Sequence, residues 1–429
     1  MKRYLYSLLA RYVSFHVLKD DAVLEVDPSS ALMGDALRRR GVSSSAVKSP
    51  AELPDPEGRA FIVLNGNVHR SDDIQGMMTD VAQRCGAETR VIAIYYSSMW
   101  RPLARLATRL GWRRRTPEEN WVAPGDMVNF AGLTGLDIIT HQRRVLMPFY
   151  IPLLSALMNR FLAHLPILRS FCLVNLVLMR RRPAPDAQRR PRVSIVVAAR
   201  NEKGHIKDIV RRVSQIGGDN ELIFVEGGSS DGTWQEIQRV QEAWEGPLSI
   251  RSAQQGGVGK GDAVRTGFAM ARGEILMILD ADLTVRPEDL PKFYDAIRSR
   301  HGEFINGSRL VYPMEDRAMR FINMLGNKFF AAAFSFVLGQ RLKDTLCGTK
   351  VLWRRDYERI AANRAYFGEF DPFGDFDLLF GASRLGLKIV ELPVRYASRV
   401  YGDTNISRWT HGALLLRMLW FAARKIRFI

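Results

Sequence analysis

The chain has 429 residues, 47% hydrophobic and 25% charged, which is enough apolar material for more than one buried core. Its 62 Lys and Arg against 45 Asp and Glu give a formal charge of +17, a balance that attracts something anionic: nucleic acid, lipid headgroups or a phosphorylated substrate. Cys85, Cys172 and Cys347 form neither a CxxC pair nor a disulfide framework and fit a reducing cytoplasm, and no stretch reaches the ~18 uncharged apolar residues of a membrane span.

The first fifteen residues carry an early basic pair, an apolar run broken by Arg11 and no small-residue cleavage site, so they are not read as a signal peptide. Strand patterns follow at Ala22–Val26, Phe61–Leu64 and Arg90–Tyr95, with helical patterns at Ala31–Arg40 and Gln75–Cys85. From Val145 to Met179 the chain is apolar but broken by Pro148, Pro152, Arg160, His164, Pro166 and Arg169, which predicts packed helices or a hairpin covering a sheet.

Val23-Leu24-Glu25-Val26-Asp27 resembles the first strand of class I methyltransferases, and Ile94–Ser97, Asn120-Trp121 and Gly132–Asp137 resemble their late strands. That resemblance implies a Rossmann-like domain over residues 1–182. The glycine-rich turn that would admit S-adenosylmethionine is missing, however. Asp27-Pro28-Ser29-Ser30-Ala31-Leu32-Met33-Gly34 offers a stiff proline where backbone must approach a cofactor. The expectation is a degenerate methyltransferase-like domain that binds no cofactor. The alternative, a methyltransferase with an accessory sugar-binding half, is disfavoured by the same turn.

Residues 183–191 are charged and proline-rich and predict an exposed linker. Val193–Val197 then opens a second domain with a β-branched run suited to a buried parallel strand. Glu221–Val225 and Glu274–Leu279 read as further strands, Thr233–Trp244 and Lys260–Ala271 as helices. This alternation predicts a doubly wound parallel sheet, whose ligands bind beyond the carboxyl ends of the strands. Asp280-Ala281-Asp282 stands at such an end. Two carboxylates at i and i+2 on an extended segment point the same way and can share one hard cation with substrate phosphates. Gly256–Gly261 is no Walker A loop, lacking Ser or Thr after Lys260, yet a lysine at a helix start suits a phosphate.

Ser194–Glu202 (SIVVAARNE), Phe224–Thr233 (FVEGGSSDGT), Gly259–Leu283, Gly307–Arg309 (GSR), Asp344–Lys350 (DTLCGTK) and Gly374–Val394 stand in the order and spacing of family 2 glycosyltransferases. The subgroup they most resemble is the dolichyl-phosphate mannosyltransferase type. The resemblance implies a GT-A fold over residues 192–408 and sugar transfer from a nucleoside diphosphate sugar with a divalent metal, Mg2+ or Mn2+. It implies that Ala199, Arg200, Glu202 and Glu226 border the base and ribose, that Lys260 and Arg309 face phosphates, that Lys350 binds substrate, and that Asp280, Ala281 and Asp282 meet donor and metal. Asp282, Asp375 and Asp377 are the expected catalytic acids. Arg399 and Ser407 fall where that subgroup contacts an acceptor phosphate. This chain departs from the family pattern at Ala198, Arg200, Glu226-Gly227 and Thr284, where Pro, an aromatic, Asp-Asp and Gln are frequent.

The stretches 317–340 and 409–429 are amphipathic. In the tail, Leu416, Leu419, Trp420 and Ala423 form a face flanked by Arg417, Arg424, Lys425 and Arg427, the pattern of a helix lying in a bilayer interface. The expected partners are a nucleotide-sugar donor and an anionic membrane surface or lipid-phosphate acceptor at the cytoplasmic face of the plasma membrane. No zinc-finger, RRM or helix-turn-helix signature accompanies the charge, which argues against nucleic acid. The oligomeric state is left open.

Overall fold

The computed structural model describes residues 2–55, 58–111, 120–184, 188–213, 216, 219–312, 321–367, 376–397, 401 and 408–429. They form two compact units, Met1–Pro183 with Phe428–Ile429, and Ala184–Arg427.

The first unit is built on six strands: β1 (Ala22–Val26), β2 (Ser44–Val47), β3 (Ala60–Asn65), β4 (Arg90–Tyr96), β5 (Leu136–Arg144) and β6 (Val174–Arg181), in the order β2-β1-β3-β4-β6-β5. β2, β1, β3 and β4 are parallel, while β6 is antiparallel to both β4 and β5. Alternate side chains feed two cores. Val23, Phe61 and Ile92 meet Leu8, Leu9 and Val13 of the helix Lys2–His16 on one face. Ile62, Val91 and Val177 meet Met78 and Val81 on the other. The expectation of packed helices or a hairpin covering a sheet over Val145–Met179 fails at its end: Val174–Met179 belongs to β6, an interior strand of the sheet itself. Its apolar run is continuous because both faces are covered, and periodicity cannot separate such a strand from a buried helix.

The second unit carries seven strands: β7 (Val193–Ala199), β8 (Asn220–Glu226), β9 (Ser249–Gln254), β10 (Ile275–Asp280), β11 (Phe304–Ser308), β12 (Lys350–Trp353) and β13 (Ile389–Pro393), ordered β13-β11-β12-β10-β7-β8-β9. The sheet is mixed, not wholly parallel as expected, because β12 runs antiparallel between β10 and β11. The sequence β7 to β8 steps one way and β10 lies on the other side of β7, which makes a topological switch point at β7. The residues expected to form a solvated linker are partly engaged. Arg189 pairs with Glu274 and stacks on Trp353, its centre 5.3 Å from the ring.

The C-terminal helix Arg408–Ala422 packs against the helix Phe321–Leu338. Leu415, Met418, Ala422 and Ala423 are buried, whereas Leu416 and Trp420 are exposed. The outward apolar face is therefore narrower than the periodicity implied and excludes Ala423. Among the described residues no helix is long and apolar enough to cross a membrane.

Candidate functional site

The registers put the ends of three strands side by side. Ala199 pairs with Glu226 across β7 and β8, and Ala198 pairs with Asp280 across β7 and β10. Everything that follows these residues is therefore delivered to one rim at the switch point.

On the β7–β8 side, two loops are knotted together. Asn201 takes a left-handed conformation (φ 56°) and its Oδ1 accepts from Ser230 N at 2.9 Å, while Asn201 N donates to Ser229 Oγ at 2.9 Å. Glu202 N donates to Thr233 Oγ1 at 2.9 Å, and Asp231 accepts from both Thr233 N and Lys203 N. Glu202 is buried against the ring nitrogen of His205 at 2.9 Å, and Glu226 is buried with Oε1 accepting from Ser229 N. Burial raises the Glu226 carboxyl, but hydrogen bonds from Ser229 and Gly228 outweigh it and hold the group below its ordinary value. Arg200 stands exposed on this rim. Ala199 does not offer its side chain. It lies in the core, and only its carbonyl reaches the rim, accepting from Gly227 N at 2.9 Å.

On the β10 side, Gly259 (φ 90°) turns the chain into the helix Lys260–Met270, and Lys260 Nζ donates to Asp280 Oδ1 at 2.7 Å. Burial works against an ionised Asp280. Lys260, with the fields of Lys350 and Arg309, outweighs that penalty and keeps the carboxyl below its usual range. Asp282 Oδ1 accepts from Thr284 N at 3.1 Å and Thr284 Oγ1 at 2.7 Å, so the residue standing in place of the family's glutamine orients the second carboxylate. Ala281 points the other way, into the core, as strand alternation requires; its expected place against the donor is not realised by its side chain.

Beneath Asp280 the segment Asp344–Lys350 closes the site. A β-carbon at Gly348 would lie 2.1 Å from Asp280 Oδ2 and 2.5 Å from the Lys260 ammonium, so only glycine lets the backbone come this close. Lys350 is wholly buried on β12 with Nζ donating to Cys347 O, below the cleft and not on its surface. Arg309 is likewise already engaged. Its Nε and Nη2 bind Asp344 at 2.7 and 2.8 Å, and its guanidinium lies 5.2 Å from the Tyr396 ring centre. Ala397 N donates to Thr284 O at 3.0 Å, which stitches the chain around Tyr396 to the Asp282 loop. Asp344, Asn201, Asp231 and Tyr396 are participants that sequence reasoning did not single out: the first three stand inside the blocks Asp344–Lys350, Ser194–Glu202 and Phe224–Thr233, where membership was the available signal, and Tyr396 stands in none.

Asp377 is buried at the start of the helix Phe376–Arg384 with Oδ2 accepting from Arg364 Nε at 3.1 Å; burial pushes its carboxyl up, against the pull of Arg364. The charge of Arg265, on the helix Lys260–Met270, also pulls the Asp377 carboxyl down. Asp375, Arg399 and Ser407 lie outside the described residues.

Could a cation be held here? Asp280 and Asp282 offer hard anionic oxygens at one strand end, and a positive group, the Lys260 ammonium, already rests on Asp280. The donor set fits a hard divalent ion that takes one or two carboxylates and completes its shell with phosphate oxygens.

Residues 194–361 match the model of Glycosyl transferase family 2. The chain is 28% identical over 244 residues to glycosyltransferase AglJ of Haloferax volcanii, covering 56% of this chain and 74% of that protein. It is 25% identical over 221 residues to dolichol-phosphate mannosyltransferase of Pyrococcus furiosus, covering 50% of this chain and 59% of the relative. It is 24% identical over 220 residues to undecaprenyl-phosphate 4-deoxy-4-formamido-L-arabinose transferase of Klebsiella pneumoniae, covering 50% and 63% respectively. The chain thus spans about three fifths of the length of the latter two.

Proposed function

We propose that this transferase, whose residues 194–361 match the Glycosyl transferase family 2 model, moves a sugar from a nucleoside diphosphate sugar to a phosphorylated, lipid-linked acceptor. The observation that carries this reading is the alignment of Glu226, Asp280 and Lys260 on one rim at the switch point of the second sheet.

Glu226 and Glu202, with the exposed Arg200, border the base and ribose, and the knotted loops give them a fixed geometry. Lys260 lies where the diphosphate arrives and can exchange Asp280 for a phosphate oxygen. Arg309 and Lys350 act at a distance, through their positive field under Asp280. Asp280 and Asp282 would hold Mg2+ or Mn2+, which supplies Lewis-acid assistance to the departing diphosphate. Asp377 positions the helix Phe376–Arg384 through Arg364, and the general-base role, where an acceptor hydroxyl needs one, falls to Asp375. An acceptor phosphate is already anionic and needs none; Arg399 and Ser407 would receive it. The names of the relatives from Pyrococcus furiosus and Klebsiella pneumoniae support a polyprenyl-phosphate acceptor. The exposed Leu325, Phe329, Leu416 and Trp420 support a place at the cytoplasmic membrane face.

The domain limits proposed are 1–182, a linker over 183–191, the transferase domain over 192–408 and the tail 409–429. The first unit is read as methyltransferase-like and cofactor-free. Its loop after β1 is held by the protein itself: Asp27 (φ 39°) pairs with Arg70 at 3.1 Å, and Asn67 Nδ2 donates to Val26 O at 2.8 Å.

A screen of nucleotide sugars for turnover with and without Mg2+ or Mn2+, using Asp282→Ala as the control, tests the reading. Metal-dependent turnover that the variant loses is expected. Full activity in Asp282→Ala would remove the metal assignment.

A further inference from the structure

Part of the first unit is folded inside out. In the helix Leu154–Arg160 the buried residues are Ser155 and Asn159, 1% and 3% exposed, while Leu154 and Leu157 face outward. The two polar side chains hold the segment from within: Asn159 accepts from Met147 N and donates to Met147 O at 2.8 and 2.7 Å, and Ser155 Oγ accepts from Ile151 N at 2.6 Å. Just ahead, Leu153 sits at φ 62° between Pro152 O and Leu154 N, which bond at 2.6 Å across it. This is a strained γ-turn of the positive-φ kind, and it presents Leu153 at 88% exposure. Ile167 is 77% exposed, and Phe149, Tyr150 and Leu165 are exposed as well.

A second element adjoins this one. Trp100 Nε1 donates to Phe171 O at 3.1 Å, and from Trp100 begins the helix Arg101–Arg109, which buries no residue at all. Leu103, Leu106 and Leu110 nevertheless lie on one side of it, and Arg101, Arg105 and Arg109 on another. The surrounding sequence is basic throughout. Residues 89–117 and 138–185 contain Arg and no Asp or Glu.

In water, polar side chains turned inward and leucines turned outward are the wrong way round. They are the right way round at the boundary of a bilayer, where an arginine fringe meets anionic headgroups. A second copy of the chain is the other natural cover for an apolar face. Twofold pairing through this face would set the arginine fringe against itself. We infer that residues 149–171 and the helix Arg101–Arg109 form a membrane-docking surface that seats the first unit in the interface of an anionic bilayer. This deepens the lipid-facing reading above by giving the unit without assigned chemistry a role, and it is measured without any sugar transfer.

The experiment is flotation of the full chain with vesicles of phosphatidylcholine alone or with 30% phosphatidylglycerol, alongside the double variant Leu153→Ser, Ile167→Ser. Both side chains stand in solvent, so circular dichroism and melting should match the wild type. Wild-type binding to the anionic vesicles, lowered at least ~10-fold in the double variant but not in Val128→Ser, which removes an exposed apolar side chain outside the proposed surface, is expected. Equal binding by the double variant overturns the inference, as does the absence of wild-type binding. A wild-type dimer in sedimentation velocity that the double variant turns into monomer, with vesicle binding unchanged, assigns the face to a second copy instead. Failure of the donor screen with intact flotation would remove the catalytic reading and leave this one standing.

Discussion

The two sheets share a plan and differ in what fills the crevice at the switch point. In the first, β1 and β3 diverge in their connections, and the rim after them is occupied by the chain: Asn67 caps Val26 O and Arg70 binds both the carboxylate and the carbonyl of Asp27. In the second, β8 ends in Glu226 and β10 in Asp280, which the Lys260 ammonium meets at 2.7 Å, so charged groups gather at the rim. An open parallel sheet thus provides a place for a ligand without obliging the chain to keep one. What decides is whether charged groups such as Asp280 and Lys260 are left gathered at the strand ends, since both rims tie their loops together.

The contrast breaks most sharply at Asp280. Asp280→Asn should lower kcat by about two to three orders of magnitude, the scale of losing one preorganised electrostatic partner, with the melting temperature nearly unchanged. Equal activity would mean that the second rim is as inert as the first.

Next comes Asp344, nearly all of it buried under Arg309. Asp344→Asn leaves a buried guanidinium uncompensated and should cost about 3 kcal/mol in denaturant unfolding at neutral pH. Burial raises its carboxyl, but Arg309 more than offsets this and holds it below the ordinary 3.8. A depressed carboxylate contributes its stability in full above the unfolded value and loses it as the pH falls through the folded one. The gap between wild type and variant should therefore begin to narrow at about pH 3.8 and close only as the pH falls through the lower, folded value. A gap that persists there would show that packing, not charge, is lost.

Gly348→Ala should cost about 1–3 kcal/mol through overpacking and lower activity further by parting Lys260 from Asp280. A crystal structure of the variant with the 2.7 Å contact intact would refute the crowding argument. The smallest effect belongs to the first rim. Asp27→Ala breaks a largely exposed pair worth about 0–1 kcal/mol and should leave sugar transfer untouched. Titration calorimetry with S-adenosylmethionine should stay flat for both wild type and variant.

The strands β1, β3, β4, β7, β8 and β10 were legible because apolar runs such as the β-branched Val193–Val197 announce themselves. β6 was not, since prolines and charges upstream made the stretch read as a cover over the sheet, helices or a hairpin, and not as a strand within it. β12 has only four residues and includes a buried lysine, a residue that pattern reading sends to the surface. Within the site, the motif residues Asp280, Asp282 and Glu226 stood out by type and position. Asp344 and Arg309 each stand in a quoted block, but their pairing did not show, because 35 residues separate them and only the fold brings them together. The side chains of Ala199 and Ala281 went astray for the opposite reason: a motif names a stretch, while strand alternation decides which of its members turn inward.

The knot of Asn201, Ser229, Asp231 and Thr233 also bears on how such a protein can be changed. Each of the two loops supplies donors that the other accepts. Exchanging one loop for a relative's would orphan its counterpart, so a graft meant to alter donor preference must carry both together. The two segments are one module for engineering, and single-residue drift in either is constrained by the other.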